Sequence, residues 1–192
     1  ALGPDHPDVA SSYQLLGGFY QETGDHKTAT EYYRKALAIA VKADGSDSIL
    51  AAEIEANIGT AENELGQYAD ARANFQRALD IKTAAYGSDD PRTADVLGDL
   101  GMIEQRDEHY DDSLADFRRA YEVISKADPD DPRALDFLGS QVQVLTRMGK
   151  LADARGVEDR TMTLMERMYG PDHPRIAILL GSLLVLAGIL SS

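Results

Sequence analysis

The chain has 192 residues, 43% of them hydrophobic, which is enough to build an ordinary core. Its 33 acidic against 19 basic residues give a net charge of −14, so nucleic acid and anionic membrane surfaces are both disfavoured as partners. No cysteine is present, which excludes disulfides and thiolate metal sites.

Internal self-similarity organises everything that follows. Four segments align so that Gly24, Gly66, Glu108 and Gly149 share one position, at steps of 42, 42 and 41 residues. Ala29, Ala71, Ser113 and Ala154 then fall in register, as do Ala36, Ala78, Ala120 and Thr161. Tyr33, Phe75 and Phe117 share a third position, and Leu16-Gly17, Ile58-Gly59 and Leu100-Gly101 a fourth.

The first unit, about 2–43, opens on His6-Pro7 and carries apolar residues at helical spacing through Val9, Tyr13, Leu16 and Tyr20. Gly24-Asp25 breaks that helix. A second helix is predicted over about 27–41, with Ala29, Tyr33, Ala36 and Leu37 on one face. Gly17 and Ala29 are expected to let the two helices approach closely, with the aromatic filling the space beside them. The second and third units, about 44–85 and 86–127, repeat this plan. Their boundaries carry Gly, Pro and Asp, residues that start and cap helices. The fourth unit, about 128–168, departs from the pattern. Gln141-Val142 stands where the others have an aliphatic residue and Gly, Glu158 takes the aromatic position, and Thr161 replaces Ala. Looser or altered packing is expected there. A half unit, 169–192, closes the chain. Its apolar stretch 176–190 is interrupted by Gly181, Ser182 and Gly188 and is shorter than the roughly 18–20 residues that span a bilayer. No basic-then-apolar leader is present, and a cytoplasmic location is expected.

The order Leu-Gly, Tyr, Ala, Tyr/Phe and Ala resembles the tetratricopeptide repeat. The 42-residue period, with Gly170-Pro171-Asp172-His173-Pro174 at a boundary, is similar to its kinesin-light-chain variety. The resemblance implies an all-α fold: an α-solenoid of tandem antiparallel helix hairpins, four full repeats plus a final half repeat, in one domain of a larger protein. The period exceeds the usual 34 residues, so longer helices are expected.

Catalytic chemistry finds no foothold in these residues. His6 and His173 sit at equivalent boundaries, and His26 and His109 in turns between helices. No His pair has the i,i+4 spacing of a helical metal site. Asp89-Asp90 and Asp130-Asp131 lack the alternation of a calcium loop and read as helix caps. Gly17-Gly18 follows no strand and precedes no Lys-Ser/Thr, so it is not a phosphate loop. Neither enzyme activity nor a cofactor is expected.

What the resemblance implies instead is a non-catalytic module that binds a protein or peptide in a groove lined by the first helices. Carried across residue by residue, the groove positions are Gln14, Gly18, Gln21 and Glu22 in the first unit. Glu53, Ala56, Asn57, Thr60, Asn63 and Glu64 follow in the second, and Asp95, Gly98, Asp99, Met102, Gln105 and Arg106 in the third. The fourth adds Asp136, Gly139, Gln143, Thr146 and Arg147. A carboxylate clamp of the chaperone-binding kind is not implied, because Gln14, Glu53 and Asp95 stand where donors are needed. Of the paired Asn residues of the kinesin kind, only Asn57 survives. Acidic groove residues in the first units predict a ligand with a basic segment. In the half unit, Leu180 and Leu184 match positions inside a hairpin, while Ile178, Val185 and Ile189 match groove positions and are apolar too. A helix apolar all round needs cover all round, so a homodimer or other partner contact is expected through this segment. The rival readings are therefore self-assembly through that last helix, and a regulatory domain of a larger enzyme.

Overall fold

The computed structural model describes residues 6–171 and Pro174. Among these, eight α-helices and one turn of 3-10 helix (Pro91–Thr93) form, and no strand. The helices are α1 (Pro7–Glu22), α2 (His26–Asp44), α3 (Ile49–Glu64), α4 (Tyr68–Tyr86), α5 (Ala94–Arg106), α6 (Tyr110–Ala127), α7 (Arg133–Arg147) and α8 (Leu151–Tyr169). The chain divides into two compact units, 1–103 and 104–192. The expected partner-contact residues Ile178, Leu180, Leu184, Val185 and Ile189 lie outside the described residues.

Local chemistry sets the helix ends. His6 Nδ1 accepts the Asp8 N–H at 3.2 Å, Asp25 accepts Thr28 N–H at 3.1 Å, and Ser48 accepts Ala51 N–H at 3.2 Å. Each satisfies a donor that the first turn leaves without an intrahelical partner. Asp90 takes the Arg92 N–H and both sides of its guanidinium, which holds the Asp90 carboxyl down at about 2. The predicted second helix of the first unit runs beyond 41 and stops only at Gly45. The second helices take 18–19 residues against 13–16 for the first helices, so the long period is spent mostly on them.

In the unit 1–103, each hairpin packs an aromatic ring onto a glycine. A Cβ on Gly17 would lie 2.5 Å from the Tyr33 ring, and one on Gly59 would lie 3.0 Å from Phe75. The close approach is thus made by the ring of the second helix, which explains the glycine of the Leu-Gly pair directly. Second helices also cover the next first helix. Ala36 and Ala40 of α2 cluster with Ile54, Ile58 and Ala61 of α3, and Ala78 and Ile81 of α4 with Val96, Leu100 and Ile103 of α5. One buried carboxylate joins three helices: Glu62 on α3, 1% exposed, is held by Arg34 on α2 at 2.8 Å and by the Asn74 amide on α4 at 2.7 Å.

In the unit 104–192, α6, α7 and α8 bury Leu114, Phe117, Ile124, Leu138, Val144, Leu145 and Val157. The three irregular positions of the fourth hairpin are buried as well: Gln141 is 1%, Glu158 3% and Thr161 8% exposed. The Gln141 amide donates to the Phe117 carbonyl at 3.3 Å, and the Thr161 hydroxyl to the Val157 carbonyl at 2.9 Å. Lys150–Asp111 at 3.4 Å and Arg167–Asp130 at 2.7 Å join elements at the surface.

Candidate peptide groove

Within the unit 1–103, α1 and α3 present neighbouring faces to one open pocket of about 540 Å³. Gln14, Gly18 and Glu22, three of the groove positions expected on α1, line it together with Asn57 of α3. The remaining lining comes from Ser11, Leu15, Phe19 and Tyr33. Leu15 is 76% and Phe19 57% exposed, so the pocket offers apolar side chains to solvent beside two amides and a carboxylate. Tyr33 enters the pocket because its hydroxyl extends past the ring that packs on Gly17. It donates to Gln21 Oε1 at 3.0 Å.

Other expected groove residues fare differently. Gln21 is committed to that hydroxyl, and the Thr60 hydroxyl to the Ala56 carbonyl at 3.1 Å. Asn63 is a correction: it is buried, 7% exposed, and its amide donates to Glu64 at 3.3 Å, so it does not face a ligand. It follows Ala61 and Glu62 on α3, which are buried as well. Glu22, Glu53, Glu64, Asp95 and Met102 are exposed. Asp99 on α5 is half-buried, and loss of water pushes its carboxyl up to about 7, assisted by the neighbouring charge of Asp95 and opposed by Lys82. In the unit 104–192, Arg106, Gln143 and Arg147 are exposed.

Leu15 and Phe19 carry no groove assignment in the sequence reading. Leu15 shares its register with Asn57 and Asp99, which was the available signal: an apolar residue stands where sister repeats are polar. His6 caps α1, and His109 precedes α6 with its Nδ1 3.0 Å from Glu104. Among the described residues, no group of three or more His, Asp or Glu side chains gathers as a metal site, and no helix is long and apolar enough to cross a membrane.

Tandem helix hairpins with a ring seated on glycine define a class of repeat scaffold. Tetratricopeptide repeat patterns match residues 1–42 and 49–126, and again 142–175. The chain belongs to the tetratricopeptide repeat family. No curated protein matches it. Among solved structures, it is similar to a putative kinesin light chain with nearly identical TPR-like repeats from Podosopora anserina. The TM-score is 0.83 and the identity 16%, covering 95% of this chain and 89% of that one. BtubC (BKLC) from P. vanneervenii gives 0.79 at 23% identity, over 88% of this chain and 68% of that one. Aspartyl phosphate phosphatase F from Bacillus subtilis gives 0.76 at 20% identity, over 94% of this chain and 44% of that one. At such identities the likeness is one of fold alone.

Proposed function

We propose that the chain is a non-catalytic interaction module whose unit 1–103 holds a peptide segment of a protein partner across α1 and α3. The observation that carries this reading is the shared pocket of Gln14, Leu15, Gly18, Glu22 and Asn57. A side-chain amide offers both a donor and an acceptor, which suits the N–H and C=O groups of an extended backbone. Leu15 supplies an apolar anchor, and burying a side chain of that size contributes roughly 1.5–3 kcal/mol. Glu22, Glu53, Glu64 and Asp95 are the exposed charges at the groove positions of this unit, so the fitting ligand carries Lys or Arg beside an apolar residue.

A peptide array screened against the chain tests this, followed by titration of the selected peptide. Leu15→Asp with Asn57→Ala is expected to weaken binding about tenfold or more, equivalent to roughly 1.4 kcal/mol. Glu53→Lys with Asp95→Lys is expected to weaken it and flatten its salt dependence. A selected peptide indifferent to both double variants would remove the groove from consideration.

A further inference from the structure

The first helices of successive hairpins can be compared position by position. On α3 the triplet Ile54, Ile58 and Ala61 is buried beneath α2, and on α5 Val96, Leu100 and Ile103 are buried beneath α4. On α7 the same register holds Phe137, Gln141 and Val144, also buried, with the Gln141 amide bonded to the backbone of α6. On α1 the register falls on Ser12, Leu16 and Phe19. Here the face is open: Ser12 is exposed, Leu16 is 41% exposed and Phe19 57%. Three first helices out of the four described are therefore covered by a second helix at this face, and α1 alone presents it uncovered.

A second observation concerns the residues leading into α1. The second helices α2, α4 and α8 each end at a glycine, Gly45, Gly87 and Gly170, with φ between 85° and 91° and ψ between 156° and 163°. That conformation is essentially reserved to glycine, and in each case the glycine N–H closes the last helical turn. Gly3 stands in the same register, and Gly3-Pro4-Asp5-His6-Pro7 is identical to Gly170-Pro171-Asp172-His173-Pro174. The same pentapeptide thus leaves a second helix at one place in the chain and enters a first helix at the other.

We propose that the Ser12, Leu16 and Phe19 face of α1 is the seat of the second helix of a further hairpin of this repeat, carried by the same polypeptide ahead of α1. The occupant presents a small residue at the register of Ala36 and Ala78, as α2 does over α3 and α4 over α5. It also carries an aliphatic side chain at the register of Ile39 and Ile81. Leu16 does not line the groove pocket, so this surface stands apart from the peptide reading. Phe19 lies where the two surfaces meet.

The test repeats residues 44–84 ahead of Ala1, which preserves the 42-residue step, and compares amide exchange in α1 with and without the added hairpin. The expected result is that α1 amides slow by about tenfold or more in the extended chain. Leu16→Glu is expected to reverse that gain while leaving α1 exchange in the unextended chain unchanged. Equal exchange in both chains overturns the proposal. So does a light-scattering mass showing that the unextended chain is a dimer which Leu16→Glu splits, since a second copy would then be the occupant. The polypeptide ahead of Ala1 is expected to carry a small residue, an aromatic and a small residue 42 places before Ala29, Tyr33 and Ala36; any other pattern there also overturns it.

Discussion

The second and fourth hairpins fill the same register with opposite chemistry. In the second, Phe75 lies against Gly59 and Ala78 follows it on the buried face of α4. In the fourth, Glu158 and Thr161 hold those two positions, and Gln141 takes the place of Ile58. All three polar residues are nonetheless buried. Between these two hairpins, each covered by its neighbours, position in the repeat decides burial, and polarity decides only what the buried group must find. Gln141 and Thr161 find backbone carbonyls, whereas Phe75 needs only an apolar space of its own shape. Gln141 still leaves its Oε1 without a hydrogen-bond partner among the described residues, a cost that Ile58 at the same position of the second hairpin does not carry.

The strongest way to break this comparison is to empty the apolar hairpin. Phe75→Ala should cost about 3–5 kcal/mol in denaturant unfolding, because the ring is 2% exposed and the glycine opposite cannot fill the void. A cost near 1 kcal/mol would show that the second hairpin does not depend on its ring. A finer comparison sets one half-buried carboxylate in each unit side by side. Burial, helped by Asp95, lifts Asp99 to about 7; burial, helped by Glu104 and Asp112, lifts Asp116 to about 6. A carboxyl raised on folding binds its proton more tightly in the native state, so stability falls as pH rises through that window. Asp99→Asn should therefore stabilise by an amount of order 1 kcal/mol at pH 8 and do little at pH 4. Asp116→Asn should act in the same direction over the narrower interval that ends near 6. Thermal melts at the two pH values decide it, and a gain at pH 4 would contradict the assignment.

The smallest expected effect lies at the turn between helices. Glu108 has φ 62°, in the register that Gly24, Gly66 and Gly149 fill with φ between 71° and 83°. The left-handed conformation costs an L-residue about 1–2 kcal/mol, while glycine costs the folded chain about 0.5–1 kcal/mol in entropy. Glu108→Gly should therefore stabilise by about 0.5–1 kcal/mol, read as a raised denaturant midpoint at unchanged slope.

Much of this was legible in the residues because a repeat writes its register several times over. The shared Gly, Ala and aromatic positions determined the hairpins, their boundaries and the family, since each reflects a local demand: a left-handed turn, a close crossing, a ring-sized space. Cap residues such as Asp25 and Ser48 were readable for the same reason. Tertiary structure decided what depends on neighbours. Asn63 looks like a groove residue in the pattern, yet it is buried and turned to Glu64. Glu62 reads as an ordinary helix-surface acid, yet it is enclosed by Arg34 and Asn74 from two other helices. Leu16 and Ile58 are interchangeable in sequence, but α2 covers Ile58 and no described helix covers Leu16. Periodicity fixes which way a side chain points from its own helix; whether another helix meets it there is a property of the packed chain.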